Sequence, residues 1–174
     1  MGYHTDFSGE FYLDTPLTEA QKNYLHQFSR TRRMKRDADK TALRPDPVRE
    51  AVGLPVGIDG GYFVGETGYA GQDHGPDVVD DNYEPSGQPS LWCQWIPSDD
   101  GSTIEWDGGG KFYSYVKWIR YIIEHFLKPW GHNLNGEVKW FGEEHDDMGI
   151  IIVKNNVVTT KRVKVTFEYD EEES

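Results

Sequence analysis

The sequence predicts an α+β fold, an antiparallel sheet with two main helices on one face. Three observations carry this. Runs of alternating apolar and polar residues open the chain, return as a hairpin near 90–108 and fill its last third. Segments near 17–30 and 110–128 repeat apolar residues at helical spacing. Between the first helix and the hairpin, residues 31–89 show weak periodicity and many glycines. The order strand, helix, strand, strand, helix, strand matches the ferredoxin-like βαββαβ order, with extra C-terminal strands and a long insertion at about 31–89. One domain is expected over 1–169, followed by an acidic tail at 170–174.

Residues 3–13 read as a strand with Phe7, Phe11 and Leu13 on one face and a bulge at Gly9. The next helix starts at a capping box, Thr18 with Gln21, and buries Leu17, Tyr24, Leu25 and Phe28. In 31–89 a short helix is expected at 46–53, with Asp46 as cap and Pro47 in its first position. The run that follows has glycine at 57, 60, 61, 65, 68 and 71 and carries Tyr62, Phe63, Val64 and Tyr69, which argues for order rather than a free loop. SLWCQWIP, SDDGS and TIEWDG give a hairpin. Residues 110–128 form the second main helix on Phe112, Val116, Ile119, Ile123 and Phe126, stopped by Pro129 and Gly131. Three antiparallel strands follow, with Asn155–Asn156 as a turn.

Composition limits the function classes. The net charge of −12 argues against non-specific nucleic-acid binding. The charge is uneven: residues 30–49 hold eight bases against three acids, +5 locally, which leaves −17 for the remainder. Residues 59–84 hold seven acids and no Lys or Arg. No apolar run reaches the roughly 18 residues of a membrane span, so no membrane association is expected. The N-terminus reads as neither a signal peptide nor a myristoylation site, and the single cysteine suits a reducing compartment; the expected location is cytoplasmic.

Cys93 reads as a small buried hydrophobe beside Leu91 and Trp95 rather than a nucleophile, because no histidine is near in sequence to activate it. His74 and His125 are the ones that folding could bring close. On the opposite face of that strand, Trp92 and Gln94 offer a ring and an amide to a flat ligand. Arg32, Arg33 and Arg36, in the run TRRMKR, suit bidentate contact with phosphate or carboxylate. Asp59 and Tyr62 lie in GIDGGYFVG, which has no phosphate-loop signature. The His-containing acidic clusters at 73–84 and 143–149 fit neither an EF-hand nor a zinc helix and read as solvated loops, so no metal ligand is assigned.

The run QPSLWCQWIPSDDGSTIEWDGGGKFYSYVKWIRYIIEHFLKPWGHNLNGEVKWFGEE, with FSRTRRMKR and GGYFVG before it, resembles a group of small bacterial and bacteriophage proteins. The resemblance implies a bacterial or phage accessory gene and brings no activity or site residue with it.

Three functions fit. The first is a small acidic cytoplasmic binding protein whose anionic, nucleotide-like ligand meets Arg32, Arg33, Arg36, Asp59, Tyr62, Trp92 and Gln94. The second is a phage-type inhibitor or nucleic-acid mimic whose acidic surface covers a basic protein partner. The third is a small enzyme acting on a phosphorylated or nucleotide substrate, with Asp59, His74 or Glu66 as acid–base groups. No catalytic residue is assigned and no cofactor is identified.

Overall fold

Residues 2–65 and 75–170 are described by a computed structural model. In chain order its elements are β1 (Thr5–Leu13), α1 (Glu19–Arg30), β2 (Lys35–Arg36), α2 (Ala38–Thr41), α3 (Pro47–Ala51), β3 (Val78–Asp80), β4 (Trp95–Pro97), β5 (Thr103–Trp106), α4 (Tyr115–Ile122), β6 (Leu134–Gly142), β7 (Met148–Lys154) and β8 (Val157–Arg162). Six strands make one sheet in the order β4-β5-β1-β6-β7-β8, each pair antiparallel. β2 and β3 form a separate two-stranded ribbon. The architecture is α+β, as the sequence predicts. No helix among the described residues is long and apolar enough to cross a membrane.

Alternation decides which side of the sheet is dry. Phe11, Trp95, Ile104, Leu134, Val138, Trp140, Ile151 and Val153 are buried and share one cluster with Tyr24, Leu25 and Phe28 of α1 and Trp118, Ile119 and Ile122 of α4. Their neighbours in sequence, such as Tyr12, Glu137 and Phe141, point to the exposed side. The cluster is ring-rich: Phe7 packs within 5.0–5.7 Å of Trp95, Trp106, Phe112 and Tyr115. Burying each such ring contributes about 1.5–3 kcal/mol of transfer free energy.

Local signals hold where they are self-contained. Thr18 and Gln21 close the expected capping box, and Leu17, Tyr24, Leu25 and Phe28 are buried as expected. Asn155 and Asn156 both take positive φ in the β7–β8 turn. In the β4–β5 hairpin, the Ser102 hydroxyl and amide, with the Ser98 hydroxyl, hold the Asp100 carboxylate down to about 2.

Three expectations need correction. Gly9 is not a bulge: the β1–β6 register runs through it unbroken from Thr5 to Leu13. Its glycine is needed because φ is 101° and a Cβ there would lie 2.7 Å from the Glu137 carbonyl oxygen. Asp46 does not cap α3; its carboxylate turns instead to Arg49 Nε (2.7 Å) and to the amides of Val64 and Gly65. The second main helix starts at Tyr115, after Lys111 and Ser114 have both taken left-handed φ of 58°. It ends in a wide π turn over Ile123–Leu127, in which the Lys128 amide donates to the Ile123 carbonyl at 2.8 Å.

Residues 31–65 and 75–89 carry only short elements, and buried arginines hold them. Asp77 accepts from Arg36 Nη1 (2.9 Å), Thr41 Oγ1 (2.9 Å) and Arg44 Nη1 (3.0 Å). Burial alone would raise this carboxyl, but those donors and the two arginine charges keep it below the usual carboxylate range. Arg36 and Arg44 also cover the Phe63 ring at 4.5 and 4.8 Å.

Gly9→Ala is expected to lower unfolding free energy by about 1–3 kcal/mol from backbone strain, with a further loss from the collision with Glu137. Gly53, with φ 71° and open space around its Cβ position, is the control that isolates the strain. Urea titration of both Ala variants should rank Gly9→Ala clearly lower; equal midpoints would remove the close-approach argument.

Candidate ligand-binding cleft

Two adjoining hollows share Glu84 and Pro89 and run between residues 84–94 and the outer side of α4. The first, of about 600 Å³, is lined by Leu91, Trp92 and Gln94 on one side and by Gly110, Lys111 and Tyr113 on the other. The second, of about 550 Å³, is lined by Gly87 and Gln88 and by Lys117, Arg120, Tyr121, Glu124 and His125.

The wall of the first hollow is fixed by hydrogen bonds. The Gln94 amide donates to the Gly110 carbonyl (2.9 Å) and accepts from the Trp106 indole (3.3 Å). Ser90 accepts from the Trp118 indole at 2.7 Å. Trp92 is half-buried, and among the described residues its indole N–H has no acceptor. Lys111, exposed, and the half-exposed Tyr113 face it across the groove. The left-handed backbone at Lys111 and Ser114 is the strained geometry that sets this rim.

The second hollow ends on a hydrogen-bonded chain with one direction. Gln88 Nε2, buried, donates to the Gly61 carbonyl (2.6 Å) and to the Tyr121 hydroxyl (3.0 Å). Tyr121 in turn bonds the Tyr62 hydroxyl, which lies 2.7 Å from His125 Nδ1. Burial pushes the Tyr121 phenol up to about 12 and raises Tyr62 as well, so both keep their protons and donate onward. Burial also lowers the His125 imidazole, with Glu124 opposing, so Nδ1 is the acceptor and Nε2–H is the tautomer. His125 lies flat on Tyr121, ring centroids 4.0 Å apart and planes at 20°. Lys111, Lys117 and Arg120 outnumber Glu84 and Glu124 along the cleft, a cationic strip in an acidic chain.

The seven residues expected from sequence part into two groups. Tyr62, Trp92 and Gln94 border the cleft or its inner recess. Arg33 is buried behind it: its guanidinium donates to the carbonyls of Thr31 (3.1 Å), Gly61 (3.0 Å) and Phe63 (2.6 Å) and lies 4.2 Å over the Phe28 ring. Arg36 is buried on Asp77, and among the described residues its Nη2 has no acceptor. Arg32 bonds the Asp81 carbonyl and, at 3.4 Å, the Asn82 side chain. Asp59, at φ 54°, accepts from the Ser86 amide at 3.0 Å. Glu66, Tyr69, Asp73 and His74 lie outside the described residues. Cys93 is buried in the core cluster, as expected, and burial pushes its thiol up to about 12.

Sequence reasoning missed Gln88, Lys111, Tyr113, Lys117, Arg120, Tyr121 and His125. A signal existed for four of them: once the buried stripe of the helix is set, Lys117, Arg120, Tyr121 and Glu124 follow at helical spacing on its other side. Among the described residues, no group of three or more His, Cys, Asp or Glu is placed to hold a metal ion. Compared with protein-family models, curated proteins and solved structures, the chain has no match.

Cys93 is expected to resist a thiol reagent in the native state and to react fully once the chain is unfolded in denaturant; rapid native labelling would contradict its burial. His125, titrated by NMR, should show a midpoint below the unperturbed value of about 6.5. A lowered histidine contributes stability that is present above the unfolded pKa and lost as pH falls through the folded one. Glu124→Gln removes the opposing attraction and should lower the midpoint further; a midpoint above about 6.5 would refute the assignment.

Proposed function

We propose that this is a small acidic cytoplasmic binding protein, of bacterial or phage origin, that takes an anionic nucleotide-like ligand in the cleft. The observation that carries this reading is that the Trp92 side of its strand is left as an open groove, continuous with a second hollow bearing Lys117 and Arg120. A flat ring stacks between Trp92 and Tyr113, and the anion reaches the cations of the α4 side. His125 presents Nε2–H to the same anion, oriented by the chain from Gln88. The site lies on the 84–94 side rather than on the arginines of 32–36, which are engaged within the fold. In the same reading 31–89 is an insertion into a ferredoxin-like frame, supported by β6, β1, β5 and β4 lying side by side in that order.

Isothermal titration with adenosine monophosphate and with inorganic phosphate tests this. Base–aromatic stacking contributes roughly 1–3 kcal/mol, so Trp92→Ala should weaken the nucleotide tenfold or more while barely changing phosphate. Arg120→Ala should weaken both, and Arg32→Ala neither. If neither probe binds, or if Trp92→Ala binds the nucleotide as well as the parent does, the reading fails. An acidic inhibitor of a basic partner then takes its place.

A further inference from the structure

Independently of the cleft, the outer edge of the sheet does not end with its last strand. β8 is the edge strand, and the Val163 amide extends its ladder by donating to the carbonyl of Met148 at 2.9 Å. Met148 is the first residue of β7, so the sheet offers nothing further for the chain to pair with. Residues 164–170 run on beyond it, every one exposed, and among the described residues no backbone hydrogen bond ties them down. Yet the sequence there is that of a strand. Val163, Val165, Phe167 and Tyr169 alternate with Lys164, Thr166, Glu168 and Asp170. Phe167 is 93% exposed and Tyr169 fully exposed, an unusual cost for two large rings. Val163 sits at the end of an apolar row, Phe141 and Met148 being successive neighbours on the open side of the sheet.

We propose that residues 162–170 pair antiparallel with the same residues of a second copy of this chain, about a two-fold axis at Thr166. The occupant is chosen by the charge pattern. With the axis at Thr166, Val165 faces Phe167, Lys164 faces Glu168, Val163 faces Tyr169 and Arg162 faces Asp170. Directly opposed residues of an antiparallel pair share a face. All the apolar side chains therefore meet on one side, and two kinds of ion pair meet on the other, each present twice by symmetry. Moving the axis to Val165 or Phe167 keeps one kind of ion pair within 162–170 and loses the other, so the sequence specifies the register. A strand meant for an unrelated protein has no need to complement itself.

Sedimentation velocity over a concentration series tests the proposal on the full chain. The parent should pass from monomer to dimer as concentration rises. Lys164→Glu sets like charges opposite each other at two symmetric positions and should weaken association about tenfold, as should Glu168→Lys. The double variant, Lys164→Glu with Glu168→Lys, restores opposite charges and should return most of the affinity. These residues are exposed and beyond the sheet, so circular dichroism of the monomer should not change. A parent that stays monomeric at every concentration overturns the proposal. So does a dimer that survives deletion of 164–170, or a double variant no stronger than either single one.

Discussion

The guanidinium of Arg33 cannot reach water, and much of the molecule is arranged to make that tolerable. Taking such a charge out of solvent costs several kcal/mol unless its donors are met. Here they are met by three main-chain carbonyls from Thr31, Gly61 and Phe63, with the Phe28 face beneath. Burial lowers this guanidinium to about 10, which still leaves it charged at neutral pH. Because the acceptors are backbone atoms, residues 57–65 cannot move away from α1 without stranding the charge. The Gly61 carbonyl is also the one that Gln88 holds, and Gln88 begins the chain that ends on His125. A buried cation on the inner side thus fixes the position of an imidazole on the outer side.

The cleft inherits its shape from this stiffness. Its rim residues are held by indole and amide hydrogen bonds to Ser90, Gly109 and Gly110, and its inner end by the Tyr–Tyr–His chain. A binding site made this way loses little conformational entropy when occupied, since most of its side chains are already in place. The exceptions are Lys111, Lys117 and Arg120, whose long exposed stems can follow a ligand.

What the sequence made legible was what a few neighbouring residues decide. The capping box at Thr18, the Asn155–Asn156 turn and the alternation of β6 and β7 need no distant partner, and each is found as read. The face assignment around Cys93 also held, because strand alternation alone separates it from Trp92. The arginines did not yield to this reasoning. A run such as TRRMKR looks the same whether its side chains face solvent, ligand or core, and carbonyl acceptors leave no mark on a sequence. Tyr62 and His125 are 63 residues apart, and only the fold brings them within 2.7 Å. Gly9 was misjudged for a similar reason: the demand for a missing side chain comes from Glu137, on another strand.

The wide turn at Ile123–Leu127 has a consequence for how the gene can vary. A π turn holds one residue more than an α-helical turn of the same rise, and deleting that residue would restore regular hydrogen bonding. Yet the extra residue is what lets Ile122, Ile123, Phe126 and Leu127 all face the interior while His125 stays on Tyr121. Excising it would rotate everything downstream by about 100°, carrying Trp130 and the start of β6 out of phase with α1. Length in this helix is therefore frozen, and drift here has to proceed by exchange of residues rather than by gain or loss of them.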